Sequence, residues 1–388
     1  MRGAIRRRKL NPEIRWAPAM MSFLFVDTEP VWRGGQDQLL TLLRGLIVRG
    51  HQLHLICHPR TLLEERAREA GVTVHPLAIR SEIGLISFFR MLLVLVRVRP
   101  QILAFNTPRA IIPGNLASRF TKVRARIIFR RVNFPLRKNL LSRLKYNWGI
   151  DCIVTVSESI RQQLEVDGVP GSRIRTIYEG MDLNPFPKRD AAILHRSGEP
   201  VVAGTVAHFS QEKGLRYLVE AASLIPDVHT RLRFVLVGDG ICRRELELQV
   251  RDRGLEDCFH FAGFQKRPAP YLTSFDFFVL PSLSEGLSSA ILSALAASLP
   301  VIATNVGGIP ELVQHEVNGL LVPPADPVAL ASAIQRLVEN PEEGFRMGRQ
   351  GRLRAERQFT LQRMILQFEQ LCSSYLTSPS PASEINHA

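Results

Sequence analysis

Short apolar runs alternate with amphipathic helical patterns along almost the whole chain, and this alternation restricts the possible folds more than any other feature. In the first half, residues 23–26, 53–57, 102–105, 126–129 and 152–156 read as strands. They are near-continuous apolar runs, as strands buried on both faces should be. A helix follows the first strand, with Leu39, Leu40, Leu42, Leu43, Leu46 and Ile47 on its apolar side and Gly50 at its C-terminal stop. The second half repeats the pattern. Its strands are 201–206, 233–237, 259–261, 277–280 and 301–304, and its helices are 214–224, 245–253 and 290–297. Such alternation implies parallel sheets with crossover helices, so each half is expected to be a doubly wound α/β domain. With 388 residues the chain exceeds what one core usually spans. The expected division is a basic arm at 1–20, a first domain at 21–190, a second at 191–360, and a C-terminal helix with polar tail at 361–388. Pro185, Pro187 and Pro200 mark the linker.

In open sheets of this kind, ligands bind beyond the carboxyl ends of the strands. Four strand-to-helix loops there carry the candidate chemistry. Gly34-Gly35-Gln36 follows the first strand, and glycines before a helix let a phosphate approach unpaired backbone N–H groups. Alone, such a pair is often only a tight turn. Ser210-Gln211-Glu212-Lys213-Gly214 places a lysine where it can meet a diphosphate as a point charge, with His208 in the same loop. In 281–289, Glu285 stands at the mouth of the cleft, Gly286 permits a tight turn, and the N–H groups of Leu287, Ser288 and Ser289 open a helix. The run from Gly307 to Asp326 reads as architectural, with a turn at Asn318-Gly319 and Asp326 capping the helix that starts at Pro327.

The charge is uneven. The net charge is +14, yet residues 83–150 contain no Asp or Glu and fourteen Lys or Arg, ten of them between Arg119 and Lys145. Apolar residues interleave with them: Phe120, Ile127, Ile128, Phe129, Phe134, Leu140, Leu141 and Leu144. A basic face with an apolar stripe suits an anionic membrane surface. No nucleic-acid partner is expected, because the charge is confined to one segment without an aromatic-interleaved recognition motif. The most apolar stretch, 83–98, carries Arg90 and Arg97 and is shorter than the ~20 residues of a membrane span. The N-terminus is basic without an apolar core, unlike a secretory signal. The five cysteines form no C-x-x-C pair, which indicates a reducing compartment. The expected location is therefore cytoplasmic, peripheral on the inner face of the cytoplasmic membrane.

Taken together, the order and spacing of these loops resemble the retaining GT-B glycosyltransferases of family 4 (the group 1 type), over about residues 21–375. The resemblance rests on Gly34-Gly35 with Arg49-Gly50-His51, on Thr155-Val156-Ser157-Glu158-Ser159, and on Phe261-Ala262-Gly263-Phe264. It continues through Glu285-Gly286 to Ser298-Leu299-Pro300-Val301 and the run from Gly307 to Asp326. Residues Phe129 to Pro135 resemble members that build lipopolysaccharide or related lipid-linked glycans. The resemblance implies two Rossmann-like domains facing across a cleft, the first for the acceptor and the second for the donor. It also implies a sugar moved from a nucleotide-diphosphate sugar to a glycan or lipid-linked acceptor, with retention and without a metal or cofactor. Lys213 and Glu285 would be catalytic. Lys213 would neutralise the leaving diphosphate and Glu285 would hold hydroxyls of the donor sugar. Gly35, His208, Gly238, Phe264, Gly286, Leu287, Ser288, Ser289 and Ser293 would complete the donor site. Asn106, Arg130 and Arg131 would lie on the acceptor side. The last helix, as in relatives, would cross back to the first domain.

Four positions depart from the family pattern. His208 stands where Arg is usual, Ser293 where a second Glu binds ribose, Asn106 where the first domain offers His, and Glu179 where Asn is usual. An altered donor or acceptor preference explains them with the chemistry intact. The alternatives are a degenerate homologue that binds a sugar nucleotide without turnover, or a sugar-nucleotide epimerase on the same fold. A dinucleotide-dependent oxidoreductase is disfavoured, since the first loop lacks G-x-G-x-x-G.

Overall fold

The computed structural model describes residues 20–79, 81–82, 84–136, 140–186 and 199–377. The basic arm up to residue 19, most of the expected linker and the polar tail from 378 lie outside the described residues. The first domain runs β1 (Ser22–Asp27), α1 (Gly34–Val48), β2 (Gln52–Cys57), α2 (Leu62–Glu69), β3 (Thr73–Pro76), α3 (Leu85–Val98) and β4 (Ile102–Phe105). It continues with α4 (Ile111–Ser118), β5 (Ala125–Arg130), α5 (Leu140–Asn147), β6 (Cys152–Thr155), α6 (Glu158–Val166) and β7 (Ile174–Thr176). The second domain opens with β8 (Val201–Val206), α7 (Leu215–Ala222), α8 (Val228–Arg231), β9 (Leu232–Val237), α9 (Arg243–Asp252), β10 (Phe259–Gly263) and α10 (Ala269–Ser274). Then follow β11 (Phe277–Leu280), α11 (Ser289–Ala296), β12 (Val301–Thr304), α12 (Ile309–Leu312), β13 (Gly319–Val322), α13 (Pro327–Glu339), α14 (Pro341–Gln358) and α15 (Leu361–Thr377).

Both sheets are parallel throughout. Their orders are β3-β2-β1-β4-β5-β6-β7 and β10-β9-β8-β11-β12-β13. Each reverses direction once, between β1 and β4 in the first domain and between β8 and β11 in the second. The crevice at such a reversal is where this class of sheet takes its ligands. Central strands such as β4, β6, β11 and β12 are buried along their whole length, which explains their unbroken apolar runs.

Three short strands escape the apolar-run criterion. β3 and β7 lie at the two edges of the first sheet, are four and three residues long, and are only partly buried. The turn read at Asn318-Gly319 runs over 316–318 and leads straight into β13. Gly319 pairs with Val301 as the first residue of the strand, and a Cβ there would strike the Val301 carbonyl. The buried Asn318 side chain pins the turn, accepting from Gln314 N at 2.6 Å and donating to Leu312 O at 3.0 Å. Asp326 caps α13 as read, accepting from Ala329 N at 2.9 Å.

The chain passes between the domains twice, and the two passes touch. Met181 N donates to Phe359 O and Leu361 N to Met181 O, both at 3.0 Å. Gly180 is packed so tightly on the Thr360 carbonyl that no side chain fits there. Beyond this crossing α15 returns to the first domain. Phe368, Met364, Ile365 and Cys372 join the core formed by Phe23, Phe25 and Phe129. Glu369, 4% exposed, anchors the return. It takes Arg49 Nε and Nη2 at 2.9 and 2.8 Å, and His51 Nε2 at 2.8 Å. His51 Nδ1 accepts from Met21 N, so its Nε2 carries the proton that Glu369 receives. Breaking such a buried ion pair from one side typically costs about 3–5 kcal/mol.

Candidate active site

At the reversal of the second sheet, two strand-to-helix loops converge. The loop after β8 carries Lys213 and the loop after β11 carries Glu285. Lys213 Nζ pairs with Glu285 Oε1, and Ser282 Oγ donates to the same oxygen at 3.2 Å. The lysine side chain is 24% exposed and the glutamate 10%, so the pair stands at the wall of the cleft rather than in the core. The two loops are tied together, since Leu283 N donates to Glu212 O at 2.7 Å. Gly214, at φ +61°, lies against the Pro281 carbonyl, an approach that excludes a side chain.

The N-terminus of α11 opens beside this pair. Ser288 is its buried N-cap and accepts from Ile291 N, which leaves the first amides of the helix facing the cleft. Leu287 is buried and fixes the turn. Ser293 lies one turn in and is spent on its own helix, donating to Ser289 O at 2.9 Å. His208 is exposed at the end of β8. Phe264, just past β10, is exposed, about two strand spacings or ~10 Å from the reversal point. Gly238 lies beside it, donating to Gly263 O at 2.9 Å. Its φ of +137° and its packing on the Ala207 carbonyl already require glycine, so its identity is explained by the fold.

The facing wall belongs to the first domain, and sequence reasoning found only part of it. Asp27, fully buried at the end of β1, accepts from Gln36 Nε2 at 3.0 Å and from Asn106 Nδ2 at 2.6 Å. Asn106 Oδ1 accepts from Arg131 Nε at 2.9 Å, and Arg131 Nη1 meets Glu179 at 2.6 Å. The result is one continuous polar chain through five side chains. Burial raises the Asp27 carboxyl above its ordinary range against its hydrogen bonds, and pushes Glu179 up to about 7 despite Arg131. Asp27, Gln36 and Glu179 were not among the candidate site residues. The available signal was a carboxylate ending an apolar strand directly before a Gly-Gly loop. Arg130 turns away, donating to Tyr146 Oη at 3.2 Å and to Phe134 O at 2.5 Å.

The two walls meet at glycines. The Gly286 backbone lies against the Arg131 carbonyl, and Gly308 against Gly286 O and Ser157. A Cβ on Gly34 would stand 3.3 Å from Ser289 Oγ, and one on Gly35 would stand 3.5 Å from Arg131 Cδ. The N-termini of α1 and α11 therefore face each other across the cleft, with Lys213 beside them. Their partial positive charges make a place suited to a phosphate group. Outside the cleft, Glu311 clasps the domains: its two oxygens accept from Glu158 N and Ser159 N at 2.8 and 2.9 Å, capping α6 from the other domain. Among the described residues, no cluster of three or more His, Cys, Asp or Glu is arranged to hold a metal ion.

The expected apolar stripe of the basic segment needs correction. Ile127, Ile128 and Phe129 form β5 and are buried, because the strand is covered on both faces. Phe120 and Phe134 are exposed, while the side chains of Leu140, Leu141 and Leu144 lie outside the described set.

Residues 32–185 match the family described as Glycosyltransferase Family 4, and residues 200–340 the family described as Glycosyl transferases group 1. The amylovoran biosynthesis glycosyltransferase AmsK of Erwinia amylovora is 29% identical over 217 residues, covering 54% of this chain and 53% of the relative. The lipopolysaccharide core biosynthesis glycosyltransferase LpsE of Rhizobium meliloti is 29% identical over 233 residues, covering 60% and 67%. The match thus spans about half the length of the curated relatives, somewhat more for LpsE. Among solved structures, Anabaena HepE in complex with UDP superposes with a TM-score of 0.81 at 20% identity, covering 91% of this chain and all of that one. That likeness gives the chain the two-domain GT-B fold.

Proposed function

The chain belongs to the family 4, group 1 glycosyltransferases, and from that premise we propose that it moves a sugar from a nucleoside-diphosphate sugar to a hydroxyl of a glycan or lipid-linked acceptor. The setting we propose is cell-envelope polysaccharide or lipopolysaccharide synthesis, the pathway type named for the similar AmsK and LpsE. One observation carries the reading most. Lys213 and Glu285, from separate loops, meet at the reversal of the second sheet, beside a helix N-terminus that faces the other domain.

In this reading the donor lies along the second domain. Its nucleoside extends toward Gly238 and Phe264, and its diphosphate reaches Lys213 and the first amides of α11, at Leu287 to Ser289. Gly35 and Gly286 give room at the seam. An arriving diphosphate competes with Glu285 for the lysine, which frees the carboxylate to accept from sugar hydroxyls. As the bond between the anomeric carbon and the phosphate oxygen breaks, negative charge grows on the diphosphate, and Lys213 stabilises it. The acceptor oxygen forms the new bond on the same face, with retention, and its proton passes to the departing phosphate. Lys213 and the helix amides supply the positive charge in this scheme, so it calls on no metal or cofactor. Arg131 and Asn106, held by Asp27 and Glu179, would orient the acceptor from the other wall. Closure of the domains would exclude water and spare the donor from hydrolysis.

Among the described residues no helix is long and apolar enough to cross a membrane. A peripheral position on the inner face of the cytoplasmic membrane fits a lipid-linked acceptor and the acid-free segment at 83–150. The meeting of Lys213 with Glu285 favours turnover over a purely binding homologue.

Calorimetric titration with UDP, GDP and ADP and their sugar conjugates tests the donor site. One base is expected to bind in the micromolar range, and Lys213→Ala to abolish that heat. Equal binding by the variant would remove Lys213 from the donor site.

A further inference from the structure

Helix α3 is apolar on two sides. Ser87, Met91 and Leu95, spaced by one turn, form its buried line against the sheet and α4. Leu85, Ile86, Phe89, Leu93 and Val96 are instead half to three-quarters exposed. At about 100° per residue these five occupy a sector roughly 100° wide, opposite the buried line. Arg90 and Arg97 run along one margin of that sector. The rings of Phe89, Phe88 and Phe120 touch in sequence, at 5.1 and 6.0 Å between centroids, so the exposed Phe120 at the end of α4 extends the same patch. Around it Arg109, Arg119 and Lys122 are exposed, and Arg119 stacks at 4.7 Å on the partly exposed Trp148. No acidic residue occurs from 83 to 150.

We infer that this face rests on a membrane rich in anionic phospholipid, with α3 lying flat at the boundary of headgroups and acyl chains. Charge complementarity selects the occupant, because a basic margin around an apolar helix face, whose neighbouring carboxylate Glu82 is paired with Lys145 at 2.8 Å, matches acidic headgroups over hydrocarbon. Fourteen residues of helix span about 21 Å, too short to cross a ~30 Å core, so α3 lies in the plane. On the transfer reading, on which this step rests, a face held to the bilayer keeps the first domain beside a lipid-linked acceptor.

The test is flotation of the full chain with vesicles of phosphatidylcholine alone or mixed with phosphatidylglycerol, at ~0.15 M salt. Mixed vesicles are expected to bind at least about ten-fold better than neutral ones, and added salt to weaken the binding. The double substitution Phe89→Glu, Leu93→Glu is expected to reduce the partition at least about ten-fold with the melting temperature unchanged. Val166→Glu, a highly exposed position on α6, is the control and should bind as wild type. Equal binding to both vesicle types, or a double variant that floats like wild type, overturns the inference. So does a wild-type dimer that ignores vesicles and dissociates in the double variant, which would assign the face to a second copy. Nucleotide binding in vesicle-free solution tests the transfer reading separately, and its failure leaves the flotation result standing.

Discussion

The two sheets share one strand order, with β7 as an extra edge strand in the first, yet their reversal points are filled in opposite ways. In the first domain every member of the polar chain from Gln36 through Asp27, Asn106 and Arg131 to Glu179 has a protein partner, and Asp27 is wholly buried. In the second domain the charge is carried by Lys213 and Glu285, which are partly exposed and answer mainly each other. A wall satisfied by its own groups is fixed in shape before any ligand arrives, and suits orientation of an incoming hydroxyl. A wall holding one exchangeable ion pair suits a charged ligand that takes over one of the partners. The same fold thus divides a rigid, pre-paired surface from a re-partnering one.

The sharpest way to break this comparison is to remove one cation from each wall. Lys213→Ala is expected to lower kcat by about 10²–10³, the usual cost of losing a group aimed at developing charge. Its melting temperature should change little, because Glu285 remains near solvent. Arg131→Met should behave the other way. It strips the partner from a buried carboxylate and from Asn106, and is expected to cost about 3–5 kcal/mol of stability, less where Glu179 takes up a proton. Thermal unfolding alongside single-turnover rates separates the two. If Lys213→Ala unfolds as early as Arg131→Met, the contrast between the walls is wrong.

A smaller effect sharpens the rigid side alone. Glu179 sits at about 7 in the folded protein against 4.5 for an ordinary glutamate. Between those values the folded chain binds more protons than the unfolded one. Its stability therefore falls as pH rises from about 4.5 to about 7, and levels off above. The contribution is on the order of 1–3 kcal/mol. Glu179→Gln should flatten that portion of the curve of melting temperature against pH. A wild-type curve that rises over the same interval, unaltered by the substitution, would mean that Arg131 holds Glu179 charged throughout.

What was legible in the sequence follows the same division. The apolar runs at 102–105, 201–206, 277–280 and 301–304 coincide with β4, β8, β11 and β12, because strands covered on both faces cannot alternate. Lys213 and Glu285 were legible because each sits in a short loop between an apolar run and a helix. The rigid wall was legible only in part: Asn106 and Arg131 were expected on the acceptor side, but Asp27 was not, and the link through 27, 36, 106, 131 and 179 exists only in the tertiary structure. β3, β7 and β13 were missed because Thr, His, Pro, Arg or Gly interrupts the apolar run that marks the equally short β4, β11 and β12. The Glu311 clasp on α6 joins residues more than 150 positions apart and has no local signature. Helix α3 gave a different difficulty. Apart from Ser87, Arg90 and Arg97 its residues are apolar, and only the burial of Met91 and Leu95 distinguishes the face turned to the core from the face turned outward.

The smallest expected effect lies at Ser293, where the family pattern that the sequence resembles has a Glu. The Ser293 hydroxyl donates to the Ser289 carbonyl. Ser293→Glu supplies a side chain long enough to leave the helix and accept from a ribose. One added hydrogen bond to a charged acceptor should tighten a nucleoside diphosphate by about ten-fold or less. Inorganic pyrophosphate, which lacks the ribose, is the discriminating ligand. A carboxylate acting on ribose tightens the nucleotide and leaves pyrophosphate unchanged, or weakens it slightly through charge repulsion. Equal tightening of both would show that the gain comes from reordering α11, and that the nucleoside does not pass the first turn of that helix.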